Sequence, residues 1–176
     1  MRASSRSRLS FLCGTIAGMK PSTNSTTTDP HWERRVRESF LRQGLMQHLG
    51  AELMVVREGE CEIRVPFREE LTQQHGYFHA GVTSAIADSA SGYAAYSLMP
   101  ADYSVLTVEY KINLVAPAAG DFLIARARVV RSGKTLKICA ADVFAVKDGA
   151  ENLCATSLST IMALAGKSDA PAAQKS

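Results

Sequence analysis

The stretch "VLTVEYKINL", residues 105–114, narrows the fold more than any other part of this chain. From Leu106 onward, Leu106, Val108, Tyr110, Ile112 and Leu114 alternate with Thr107, Glu109, Lys111 and Asn113. Successive side chains of a strand point to opposite faces, so strict period two predicts a strand with its apolar face on a core. Three further runs follow, "DFLIARARVVR", "TLKICAADVFAV" and "NLCATSLSTIMAL", parted by Ser-Gly-Lys and Lys-Asp-Gly turns. They read as successive antiparallel strands of a meander.

Upstream, "HWERRVRESFLRQGLMQHLG" places Trp32, Val36, Phe40, Leu45, Met46 and Leu49 at helical spacing, with Gly44 and Gly50 as stops. "ELMVVREGECEIRVPF" predicts a hairpin of strands 52–57 and 61–67 around a Glu-Gly turn. Between the hairpin and the long strands lies a helix of small residues, 80–95. The order is helix, two strands, one long helix and four long strands, without β-α-β alternation. That excludes a doubly wound sheet and predicts an α+β fold, one antiparallel sheet wrapped around a long helix. Small residues suit a helix held close to a sheet.

The length of 176 residues fits one domain, expected over 31–165, with tails at 1–30 and 166–176 that are too polar to pack. The net charge of +3 sits in the N-terminal tail. Residues 1–28 hold Arg2, Arg6, Arg8 and Lys20 and no acid, leaving 16 basic against 17 acidic residues elsewhere. Such a body carries no electrostatic footprint for nucleic acid. The Arg- and Ser-rich tail reads as an upstream-start extension or as an organelle-import segment within residues 1–20; the first reading implies a cytoplasmic protein. Its apolar run, Leu9 to Ala17, is too short to span a membrane. Cys13, Cys61, Cys139 and Cys154 lie far apart with no C-x-x-C pair, as expected of free thiols.

The chemistry concentrates in "QQHGYFHAGVTSAIADSASGYAAYS", residues 73–97. Val82, Ala85, Ile86, Ala90 and Tyr93 form an apolar helical stripe; Gly81, Ser84, Asp88, Ser91 and Ala95 form a small, polar one beside it. Asp88 reads either as a solvated charge or as a carboxylate given room for a ligand. A solvated face normally carries Lys, Glu and Arg, and here every neighbour is Ser, Ala or Gly. His75 and His79 with Asp88 also admit a metal reading. The loop around Gly76 counts against it, since such a pair works on one helix face, and no metal is expected.

Gly76, the "HAG" of His79 to Gly81, Asp88, the "VLTVEYKINLVAPA" strand and the "RSGKTL" turn resemble the PaaI-type thioesterases of the hotdog-fold superfamily. The likeness covers about residues 44–164, and Ala80 stands where the usual motif has glycine. The resemblance implies acyl-CoA hydrolysis without metal or cofactor. It implies Asp88 as nucleophile or general base and the Ala80 amide, with Gly81 adjacent, as oxyanion donor. A helix N-terminus can supply that donor because its first N–H groups lack intrahelical partners. The resemblance also assigns Gln73 to orient substrate or water and Thr107 to place a hydroxyl near the attacking water. His79 is expected to fix the loop beside the substrate.

Ala80 and Asp88 are eight residues apart, hence about 12 Å apart along one helix. Groups that meet one acyl carbon should each come within about 3 Å of the reacting atoms. If both act, each site joins Ala80 of one copy to Asp88 of another, so a homodimer or homotetramer is expected. Arg131, Lys134 and Lys137 around the "RSGKT" turn, with Arg126 and Arg128 before it, are candidates for the CoA phosphates or an ordinary solvated hairpin tip. Ala, Val and Ile along the helix favour medium or long acyl chains. Two other readings remain: an acyl-thioester hydratase or dehydratase using His79 with Asp88, and a non-catalytic acyl-CoA-binding module.

Overall fold

A computed structural model describes residues 29–167 and 169; the remaining tail residues and Cys13 lie outside the described residues. The first amphipathic stretch forms two helices, α1 (Trp32–Leu41) and α2 (Gly44–Leu49). Gly44 opens α2 rather than ending a helix, whereas Gly50 does end one, in the left-handed conformation (φ 66°) that glycine adopts without cost. The hairpin follows as β1 (Glu52–Arg57) and β2 (Glu60–Pro66), then the single-turn 3-10 helix Glu69–Leu71, α3 (Ala80–Tyr96), β3 (Tyr103–Leu114), β4 (Phe122–Ser132), β5 (Leu136–Lys147) and β6 (Ala150–Ala165).

All six strands pair antiparallel, in the order β1-β2-β4-β5-β6-β3. The meander holds for β4, β5 and β6. β3 does not join it beside β4 but crosses to the far side of β6, where it forms an edge. Packing decides this: α3 spans the sheet from β2 to β3, and the chain leaving its end meets the far edge.

The helix is buried because small meets small. Ile86, Ala87, Ala90 and Ala94 are fully buried against Ile63, Leu123, Ala125, Ala127, Cys139, Ala141 and Val143. Alanines on both surfaces let backbone approach backbone, and the few large side chains, each worth about 1.5–3 kcal/mol when buried, fill the rest. The C-terminal end is tied down by Ser97, whose hydroxyl donates to the Ala94 carbonyl and accepts from the Gly59 amide in the β1–β2 turn. Cys61, Cys139 and Cys154 are buried free thiols. No described helix is long and apolar enough to cross a membrane.

The two expected helix stripes are rearranged. Ala85 is half-exposed, while Ser91 and Ala95 are buried. The outward face of α3 is instead Gly81, Ser84, Ala85, Asp88, Ser89 and Gly92, with β3 on one side and the α1–α2 elbow on the other.

Candidate active site

Asp88 lies in the middle of α3, half-buried, and its Oδ1 accepts a 2.8 Å hydrogen bond from the Thr107 hydroxyl on β3. Burial pushes its carboxyl pKa above the usual value of 3.8, and the Thr107 bond opposes that rise by favouring the ionised form.

The alternation in β3 would place Thr107 with Glu109, Lys111 and Asn113, on the face away from the helix. A bulge at Val108 prevents this. Thr107 pairs with buried Ile161, and after the register shift Tyr110 pairs with buried Ser159 and Ile112 with buried Ser157. Cross-strand partners share a face, so Thr107 lies on the helix side together with Tyr110 and Ile112. Leu106 pairs with Met162 on the outer face and is 54% exposed. The expectation of one apolar face on the core therefore fails at Leu106, and the one extra residue is what turns Thr107 towards Asp88.

The other half of the expected site is built by the loop before α3. His79 is the N-cap: its backbone is extended (φ −64°, ψ 141°) and its ring Nδ1 accepts the Gly81 amide at 2.8 Å. The Gly81 N–H is thus committed within the chain. Val82 and Thr83 donate to the His79 carbonyl. The Ala80 amide, first in the helix, meets no acceptor among the described residues, which leaves it as the donor at this terminus.

The Gln73 side chain folds back so that its oxygen accepts the His75 amide, and only an oxygen can accept there. The Gln73 NH2 group is thereby left as the free end. His75 is exposed, and among the described residues no cluster of three His, Cys, Asp or Glu side chains could hold a metal ion.

Ala80 and Asp88 share the unbroken helix α3, so the separation of about 12 Å stands. The structure brings Thr107 to Asp88, and Gln73, His79, Ala80 and Gly81 to one loop, but it does not join the two groups within one chain. The basic residues also separate. Arg131 and Lys134 are exposed at the β4–β5 turn. Lys137, expected beside them, points inward: it is 4% exposed and its Nζ donates to the Gly133 carbonyl at 3.2 Å. Burial lowers its pKa. Arg126 is held by Glu62 at 2.7 Å and by both oxygens of Glu151 at 2.6 and 2.7 Å, so its charge is already matched.

A hollow of about 500 Å3 lies elsewhere, at the C-terminal end of α3, lined by Arg35, Arg42, Tyr96, Tyr103 and Lys167 among others. Its two arginines are paired with Asp29 and Asp169, and none of the expected site residues reaches it.

Comparison with known proteins places this geometry among relatives. Residues 75–151 match the thioesterase superfamily. A crystal structure of a thioesterase family protein from Silicibacter pomeroyi is 46% identical, covering 77% of this chain and 99% of that one, with a TM-score of 0.76. The 1,4-dihydroxy-2-naphthoyl-CoA hydrolase of Listeria monocytogenes is 26% identical over 95 residues, 54% of this chain and 77% of that protein. The PaaI protein of the E. coli phenylacetic acid degradation operon shares 20% identity and a TM-score of 0.68 over 76% of this chain and 94% of that one, a likeness of fold alone.

Proposed function

The chain belongs to the thioesterase superfamily and is a thioester hydrolase, and we propose that it hydrolyses acyl-CoA to a free carboxylic acid and CoA at sites shared by two copies of the chain. The observation that carries this reading is Asp88, a half-buried carboxylate held by Thr107, on the same helix as an unpaired Ala80 amide that it cannot reach. A two-fold pairing that sets Ala80 of one copy against Asp88 of the other completes both sites at once. β3 supports such pairing. It is a 12-residue edge strand with an open hydrogen-bonding side, and Val108, Tyr110 and Leu114 along it are exposed.

In the completed site the thioester oxygen accepts the Ala80 N–H at the positive end of α3, where negative charge develops as the carbonyl carbon is attacked. Asp88 of the other copy acts at that carbon in one of two ways. It adds directly, giving an anhydride that water then opens, or it takes a proton from a water that adds. In both, the carbon–sulfur bond breaks, the CoA sulfur leaves and is protonated, and the carboxylic acid remains. The free Gln73 amide can orient the carbonyl or the water. Arg131 and Lys134 are the exposed cations for the CoA phosphates. The hydrolysis of a CoA thioester by the Listeria relative supports the CoA assignment. The small side chains along α3 support acyl groups of medium or greater length.

Thiol release from a panel of acyl-CoA substrates tests the reading, and no turnover at any chain length would sink it. Activity should rise with pH through the Asp88 titration, which burial raises from its usual value of 3.8. Thr107→Val removes the bond that favours ionised Asp88. Its acid limb should therefore move to higher pH, with kcat at neutral pH falling about tenfold; an unmoved limb would show that Thr107 does not serve the carboxylate. The double change of Arg131 and Lys134 to Ala should raise KM for acyl-CoA about tenfold. The same change should spare acyl-N-acetylcysteamine, which lacks the nucleotide, and equal effects on both substrates would remove the phosphate role.

A further inference from the structure

The candidate site occupies the helix side of the sheet, and cross-strand pairing fixes which side chains lie on the other side. Met162 pairs with both Leu106 and Leu136, Thr160 with Glu109 and Ile138, and Leu158 with Lys111 and Ala140. Ile161 and Ser159, which alternate with them along β6, are buried, so these three rows face outward. An antiparallel sheet with one face in water normally carries polar side chains there. In these rows the outward residues of β5 and β6 are Leu136, Ile138, Ala140, Leu158, Thr160 and Met162, none of them charged. Leu106, Leu158 and Leu136 are 54%, 54% and 43% exposed. Charge begins only on the flanking strands, with Glu109 and Lys111 on β3 and Arg128 and Arg131 on β4.

Pairing Ala80 of each copy with Asp88 of the other sets the two-fold axis at Ser84, midway between them. β3 runs back along α3, from Tyr103 near the end of that helix to Thr107 at Asp88. About 6 Å of helix from Asp88 to Ser84 matches one further step along β3, from Thr107 across the bulge to Tyr110. The axis therefore crosses β3 at the level of Tyr110, midway between Glu109 and Lys111. Two such dimers stacked by their outward faces close into a symmetric group of four. The axis between the sheets and perpendicular to the strands then sets Glu109 of each copy against Lys111 of the copy stacked on it. The same axis sets Ile138 against Ala140, large against small. Within the chain Glu109 accepts a 3.2 Å hydrogen bond from the Thr160 hydroxyl, and neither it nor Lys111 has an ion pair among the described residues. Arg128 and Arg131 lie three strands from the seam, where sheet twist carries the stacked faces apart.

Three rows on three strands measure about 20 Å by 14 Å in each copy, or about 560 Å2 of flat footprint per dimer. Side-chain relief brings this towards the roughly 800 Å2 a side of a standard interface. The rim carries both signs of charge, which suits a second copy of the same surface; an anionic lipid surface calls for one sign alone.

We infer that the outward face of the sheet is a second interface, at which two dimers of this chain stack back to back into a tetramer. Leu106, Leu136 and Leu158 form its apolar centre, and reciprocal Glu109–Lys111 pairs set its register. The inference rests on the two-copy site proposed above and adds to it the surface that joins one pair of copies to the next.

The test measures solution mass by light scattering for the wild type, Glu109→Lys, Lys111→Glu, the double exchange and Leu158→Glu, with far-UV circular dichroism as the check of folding. The wild type should have the mass of four chains. Each single reversal sets like charges together, and should lower the association constant of dimers into tetramers at least about a hundredfold. The double exchange restores opposite charges and should re-form the tetramer, a rescue that damage to the fold cannot imitate. Leu158→Glu should stop at the dimer. A wild type that remains dimeric at every concentration overturns the inference and leaves the two-copy site intact. Tetramers that survive the single reversals or Leu158→Glu also overturn it, as does a double exchange that stays dimeric. A monomeric wild type ends both readings.

Discussion

Mixing Ala80→Pro subunits with Asp88→Asn subunits should produce activity that neither variant has alone, at about a quarter of the wild-type level for a randomly assorted dimer. Proline deletes the one N–H proposed to hold the oxyanion, at the helix position that tolerates proline best. The preceding residue must then be extended, and His79 already is, at φ −64° and ψ 141°. Ala80→Pro should therefore fold and assemble yet lose its donor. In a mixed dimer, one site joins the intact Ala80 of one subunit to the intact Asp88 of the other, and the second site carries both defects. Half of the dimers are mixed, and half of their sites work. Co-expression with two affinity tags, isolation of the mixed species and a thiol-release assay provide the readout. Silence of the mixed species would place donor and carboxylate in one chain and refute the shared site.

Asp88→Asn should lower kcat/KM by about a thousandfold or more, because the amide can neither attack the thioester nor take a proton from water. The same change should leave the melting temperature at neutral pH unchanged or raise it. Burial lifts the folded-state pKa of Asp88 above its usual 3.8. The cost of ionising it is therefore absent below the unfolded pKa and grows as pH rises through the folded one. Asparagine removes that cost, so its stability advantage should be present at neutral pH and vanish in acid. Melting curves of both proteins across pH check the sign. A variant less stable than the wild type at neutral pH would mean that ionised Asp88 stabilises the chain, contrary to a carboxylate retained for chemistry. Function and stability then pull apart at one residue, as expected where a site is built at the expense of the fold.

Much of this was legible without coordinates. Period-two alternation, Gly-containing turns and one Ala-rich helix are local signals, and they set the elements, their order and the antiparallel class. The small residues around Asp88 raised the choice between a solvated charge and a carboxylate given room, which its half-burial and Thr107 bond then narrowed, and the rise per residue of a helix separated it from Ala80. Local pattern could not locate β3, which passes over β4 and β5 to pair with β6, because strand neighbours are chosen by where α3 delivers the chain.

Nor could it foresee Val108. The sequence there alternates without a flaw, yet the bulge depends on how β3 bends along β6. Without that extra residue Thr107 would face away from the helix. Lys137 and Lys134 look equivalent in "RSGKTLK", but only the pleat of β5 decides that one is buried while the other stays in water. The sequence by itself determined which groups exist and how far apart one helix must hold them, since covalent spacing and helical rise are local quantities. Only the tertiary structure decided which of them meet, because a single residue of strand register turns every following side chain to the opposite face.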